Sequence, residues 1–183
     1  MDLPDKLEEA FGLLARGRHI SSIDGEVFTS LSAHAGRYRE IFGSLGFDFV
    51  ADPHGFYYFN GSKKGLAKGV EQYALFTYIM IDWLSDNDHG IEDGLFGGSR
   101  HIRDLPHLKS ERYRGYMRQI GGDDEMNLIR IIGNMERAGF VRQSADRVQF
   151  LAPTRRILKV CLDVAKRTGR TDGCGLANEG ESA

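Results

Sequence analysis

Few residues of this chain are spaced for chemistry. The stretch GSKKGLAKG at positions 61–69 has the glycines and lysines of a phosphate loop, but no Gly-Lys-Ser/Thr follows to close one around a nucleotide. Asp86, Asp88, His89, Glu92 and Asp93 crowd the segment DNDHGIED, with His101 and His107 further on. Their spacing fits neither an EF-hand, which needs oxygens at alternate positions and a distal Glu, nor a helical H-E-x-x-H zinc site. A polar loop capping a helix at Asp86 or Asp88 explains the cluster. No G-x-S-x-G elbow is present, and Cys161 falls on the apolar side of a helix with Ile157, Leu158 and Val160, where a thiol is buried and inert. No catalytic nucleophile, metal ligand set or cofactor site emerges.

The elements that would position such residues are mostly helices. Residues 3–16 place Leu3, Leu7, Ala10, Phe11, Leu14 and Ala15 at helical spacing, and Gly17 stops the run. Ser21, Ser22 and Asp24 offer capping oxygens to a second amphipathic helix bearing Val27, Phe28, Leu31, Ala35, Tyr38, Ile41, Phe42 and Leu45. The stretch FVADPHGFYYFNG (49–61) then reads as a β-hairpin, with Asp52-Pro53-His54-Gly55 suited to a type I turn. A long apolar helix at 65–84 follows, then a polar stretch at 86–122. Next comes a helix opening on Asp123, Asp124 and Glu125, whose spacing buries Met126, Ile129, Ile132, Met135 and Ala138. A second hairpin turns near Ser144–Asp146, and a last helix runs from about Pro153 to Lys166.

Helix, helix, hairpin occurs twice, each hairpin entered through a Gly-Phe pair, Gly46-Phe47 and Gly139-Phe140. Glycine takes the left-handed geometry that ends a helix while the next residue drops into the core. The fold expected is mainly α with short β-hairpins, as tandem winged-helix domains: one over residues 1–61, one over 62–168, and a tail at 169–183 with little to bury.

Composition narrows the function. The 183 residues carry a formal net charge of −2, so no general basic excess drives autonomous binding to phosphate backbones. Two cysteines fit reduced thiols in a cytoplasm, the amino terminus does not read as a secretory signal, and the most apolar run, 73–84, is too short for a bilayer. The acids at 123–125 stand where a recognition helix would meet DNA and repel phosphate. Basic side chains gather at Arg100, Arg103, Lys109, Arg112, Arg114 and Arg118, and at Arg155, Arg156, Lys159, Lys166, Arg167 and Arg170. Of these, Arg155, Arg156, Lys159, Arg112 and Arg114 are the candidates for DNA contact. In the first hairpin Phe56 and Tyr58 share one face, and Tyr57 and Phe59 the other. One face belongs to the core; the other is expected to be free for a partner.

The order LLARGRHI (13–20), DPHGFYYF (52–59) and NLIRIIGNMERAGFV…VQFLAPTRRI (127–157) resembles the MukE and MksE family, the tandem winged-helix (kite) subunits of bacterial condensins, and is nearer the MksE branch. The resemblance spans residues 3–164. It implies a non-catalytic homodimeric subunit binding a kleisin (MksF-like), and through it an SMC ATPase (MksB-like), with DNA held in the assembled complex. Such a protein is cytoplasmic and nucleoid-associated and serves chromosome organisation and segregation or plasmid restriction. Arg18, His19, Phe56, Tyr57, Tyr58 and Phe59 are the candidates for kleisin or dimer contact. The competing class is a stand-alone winged-helix transcription regulator.

Overall fold

A computed structural model describes residues 3–61, 69–87 and 89–167. The 61–69 glycine-lysine stretch, Asp88, Cys174, Arg170 and the tail at 169–183 therefore fall wholly or largely outside the described residues. The N-terminal half runs α1 (Leu7–Ala15), β1 (Ile20–Ser21), a short 3-10 turn, α2 (Gly25–Ser44), β2 (Asp48–Asp52) and β3 (Phe56–Asn60). The C-terminal half runs α3 (Val70–Asp86), α4 (Ile91–Phe96), β4 (Ser99–His101), two 3-10 turns, α5 (Glu111–Gln119), α6 (Glu125–Arg137), β5 (Val141–Ser144), β6 (Arg147–Phe150) and α7 (Thr154–Arg167).

Each half builds a three-stranded antiparallel sheet in the same order, β1-β3-β2 and β4-β6-β5. A hairpin pairs with a short strand set earlier in the chain, which is the sheet of a winged helix. The short strands escaped sequence reading because two or three residues carry no alternation. Within α2, His34 has φ −130° and ψ 29°, so the helix breaks in the Ser- and Gly-containing segment 30–36. With α1 this supplies three helical pieces ahead of the first hairpin.

Local chemistry sets the ends of these elements. Asp124 accepts a hydrogen bond from the Asn127 amide at 2.8 Å, and Ser110 one from the Tyr113 amide at 3.2 Å, which caps α6 and α5. In the first wing the Gly55 amide donates to the Asp52 carbonyl at 3.0 Å, closing the Asp-Pro-His-Gly turn. In the second, Ser144 pairs with Arg147 across a two-residue turn.

Two buried clusters result. The N-terminal one is rich in rings, with Tyr38, Phe42, Phe49, Tyr57 and Phe59 at its centre. The C-terminal one is mostly aliphatic, with Ile79, Met80, Leu84, Leu128, Ile131, Ile132 and Met135. The polar stretch at 86–122 is not a loop: Leu95, Ile102, Leu105, Tyr113, Met117 and Ile120 are buried from it. Its helices are short and carry one or two apolar residues per turn pair, too few to show a period.

The phase expected for α6 needs correction. Leu128, Ile131, Ile132 and Met135 are buried, whereas Met126 is 83% exposed and Ile129 42% exposed. Each of these apolar residues also fits an amphipathic stripe, and packing chose the stripe that includes Leu128. Val160 on α7 is likewise outward, at 57% exposure.

Candidate functional site

The rings of the first wing divide as their alternation requires. Tyr57 and Phe59 enter the N-terminal core, where Phe49 stacks on Tyr57 at 5.7 Å and 1° and Phe42 meets Phe59 edge-on at 5.0 Å. The opposite face is not free. Phe56 is fully buried, with the His19 and Tyr58 rings beside it, and Tyr58 is half-buried beneath α7 of the C-terminal half. The Arg156 guanidinium of α7 lies 3.7 Å from the Tyr58 ring centroid, and His19 stacks on Tyr58 at 5.4 Å and approaches Phe140 at 4.5 Å. The surplus of ring surface joins the two halves of one chain.

Arg18 and His19 complete that junction. The His19 amide donates to the Ala138 carbonyl at 2.9 Å, and the ring Nδ1 bonds the same oxygen at 3.2 Å. The Arg156 Nη1 donates to His19 Nε2 at 2.7 Å. Arginine has only donors, so Nε2 must be the acceptor and Nδ1 must carry the proton. Burial, with the Arg156 charge beside it, pushes His19 down to about 4, which keeps the ring neutral. Burial also lowers the Arg156 pKa from its usual value.

Arg18 donates through Nε and Nη2 to Asp24 Oδ1 at 3.0 and 2.7 Å. Its Nη1 donates to the Glu136 and Arg137 carbonyls at 3.1 and 3.2 Å, in the last turn of α6, where carbonyls lack the full set of helical amide partners. That helix ends at Gly139, φ 81°, with the Gly139 amide bonding Glu136 O and the Phe140 amide bonding Met135 O. A Cβ at Gly139 would lie 2.2 Å from the His19 carbonyl oxygen. The Gly-Arg-His-Ile stretch at 17–20 therefore docks on the carboxyl end of α6, and position 139 must be glycine for both φ and proximity.

The basic candidates are mostly engaged at home. Arg155 pairs with Glu92 and lies over the Phe96 ring at 4.3 Å. Arg112 bridges Asp82 at 2.9 Å and Asp86 at 3.3 Å, and the Tyr116 hydroxyl and Asp82 hold its charge firmly. Arg114 donates to the Leu108 and Asp123 carbonyls. Lys159 is exposed and makes no ion pair among the described residues. It lines, with Asp52, His54, Tyr58, Arg156 and Val160, a groove of about 660 Å³ between the first wing and α7.

Two further surfaces were hidden from sequence reading. One is the outward stripe of α6 with Met126 and Ile129. The other is a groove of about 480 Å³ where the ends of α1 and α6 meet, lined by Leu13, Arg16, Tyr73, Asn134, Arg137 and Phe140. Its walls come from three separated segments, so no local motif marks it; the unpaired arginines were the available signal.

Among the described residues no group of three or more His, Cys, Asp or Glu side chains could hold a metal ion. Asp86 and Glu92 of the acidic segment are instead paired with Arg112 and Arg155. Cys161 is half-buried, its thiol facing the Ala74 carbonyl at 3.8 Å and its pKa raised by burial. No helix among the described residues is long and apolar enough to cross a membrane.

Comparison with curated proteins finds no significant match. A family model described as condensin complex protein MksE matches residues 5–162, which takes in both sheets, the junction and most of α7. Coverage of that extent, over a chain with the same three-stranded wing in each half, means that the protein belongs to the MksE family of condensin complex proteins, the non-catalytic kite subunits.

Proposed function

We propose that this chain serves as the kite subunit of an MksBEF-like condensin, where it dimerises and grips a kleisin (MksF-like) that connects it to an SMC ATPase (MksB-like). The observation carrying this reading is the family match over residues 5–162. Its place is then the cytoplasm at the nucleoid, and its output chromosome organisation and segregation or the restriction of plasmid DNA. The two winged-helix units divide near residue 61.

The geometry supports binding to protein ahead of reading DNA alone. The amino end of α6, the helix that a winged-helix regulator lays in the major groove, carries Asp123, Asp124 and Glu125 and exposes Met126 beyond them. Carboxylates there repel phosphates, and an exposed methionine suits an adaptable protein contact. DNA contact in the assembled complex falls best to Lys159, since Arg155, Arg112 and Arg114 spend their donors inside the chain. Phe56, Tyr57 and Phe59 contribute by holding the wing and the halves together, and kleisin contact at this wing is left to Tyr58 and the turn.

Co-purification with a tagged copy expressed in the native cell tests this function. A long coiled-coil ATPase and a kleisin are the expected companions. Recovery of neither, together with sequence-selective duplex binding by the purified chain that weakens steeply with salt, would establish the stand-alone regulator instead.

A further inference from the structure

We infer that the outward face of α6, together with the arginine groove at its carboxyl end, is a docking track for an acidic peptide segment bearing a bulky apolar residue. The inference deepens the reading of this chain as a binding subunit and rests on it.

The first observation is charge without a close ion pair. Arg18, Arg37, Arg112, Arg118 and Arg155 each have a carboxylate within 4.0 Å. Arg16 and Arg137 have none among the described residues and are exposed; exposed Arg130 has none that close either and feels the Asp124 carboxylate only from further away. Arg130 bonds only Asn127 Oδ1, and Arg137 only Asn134 Oδ1, both neutral amides of the same helix. At about 100° per residue, Met126, Arg130, Gly133 and Arg137 follow one line along α6. Arg16 joins Arg137 in the groove from the end of α1.

The second observation is apolar surface along the same line. Met126 and Ile129 are exposed at its start, and Leu13, Tyr73 and Phe140 wall the groove at its end. A Cβ built at Gly133 meets nothing within 4 Å, so the middle of the track is open and flat. From Met126 to Arg137 the rise is about 17 Å, the reach of about five residues of extended chain.

Together these select the occupant. A phosphodiester backbone has no use for the apolar walls that Leu13, Tyr73 and Phe140 supply. A peptide with carboxylates for Arg130, Arg137 and Arg16, and an apolar side chain for the groove or for Met126, satisfies both halves of the track. Bidentate arginine–carboxylate geometry then fixes its direction.

A phage-displayed library of random linear peptides, panned on the immobilised full chain, is the probe. The enriched peptides should combine Asp or Glu with a bulky apolar residue. Their affinity, read by fluorescence anisotropy, should fall about tenfold or more in an Arg16→Glu/Arg137→Glu variant and be largely kept in the Arg16→Lys/Arg137→Lys variant. Met126→Ser, on an exposed site that leaves folding intact, should weaken them about threefold. Enriched peptides that are neutral or basic, or binding indifferent to the charge reversal, would overturn the inference. So would a random-sequence duplex that displaces the peptides and is itself lost in the reversed variant, since the track would then belong to nucleic acid. Recovery of the condensin companions by an unsubstituted tagged copy tests the assembly separately: a chain that co-purifies with them but enriches no acidic peptides refutes only the track.

Discussion

The two Gly-Phe pairs occupy the same place in the two halves and have opposite surroundings. Gly46 and Gly139 both take φ 81°, and each hands its helix to the first long strand of a wing. Around Gly46 a Cβ meets nothing within 4 Å, whereas at Gly139 it collides with the His19 backbone. The repeated topology demands a left-handed residue at both positions. The docking of one half on the other demands a hydrogen atom for a side chain at only one. Substitutions at these equivalent positions therefore separate what the winged-helix fold requires from what the junction requires.

The largest contrast is expected there. Gly139→Ala should cost about 4 kcal/mol, combining left-handed strain with displacement of the 18–19 backbone, and Gly46→Ala about 1 kcal/mol from strain alone. Chemical denaturation of the two variants measures the difference, and equal losses would mean that the junction imposes no constraint of its own.

Acid sharpens the same comparison. His19 at the junction and His107 inside the C-terminal core are both buried, and burial pushes each down to about 4 from an ordinary 6.5. Above pH 6.5 neither state binds the proton, and stability is complete. As pH falls below 6.5 the unfolded chain takes up protons that the folded chain refuses, and stability drops until about pH 4. At pH 5 each histidine should account for about 2 kcal/mol of that loss. Denaturation at pH 7 and pH 5 should show His19→Gln and His107→Gln each removing about half of the pH dependence. A His19→Gln variant as acid-sensitive as the parent would mean that the junction opens before it titrates.

A smaller effect is expected at Arg156. Lysine there keeps a charge near Tyr58 but loses the flat guanidinium that stacks on the ring while donating to His19, for about 1 kcal/mol. Least of all, Met126→Ser should change stability by no more than about 0.5 kcal/mol, against about 3 kcal/mol for Met135→Ala on the opposite side of the same helix. Thermal melts of the pair check which stripe of α6 is buried.

The winged-helix repeat was legible because its signals are local. Asp-Pro-His-Gly, the Gly-Phe pairs and the alternation in Phe56–Phe59 act within a few residues of themselves. Strands of two or three residues such as β1 carry no period, and the His34 break changes φ and ψ without changing the apolar spacing. The outward placement of Met126 was not legible, because α6 offers two overlapping apolar stripes and only the position of the sheet decides between them. Phe56 and Tyr58 were recognisable as rings in excess of one small core. What lies against them comes from other segments, His19 beside both rings and Arg156 over Tyr58, and neither announces that contact in its own neighbourhood. Arg18 and His19 belonged to a recognisable stretch, but across the junction they meet mainly backbone carbonyls, which no side-chain pattern encodes.

The His19 amide has its acceptor in the other half of the chain, at Ala138 O. Within a helix or a wing, an amide stays protected from solvent hydrogen for as long as its own unit stays folded. The amide of His19 stays protected only while the two halves remain docked, so its exchange with deuterium clocks their separation. Set beside an amide deep in α6, it divides opening of the junction from unfolding of either half, in the native protein and without any substitution.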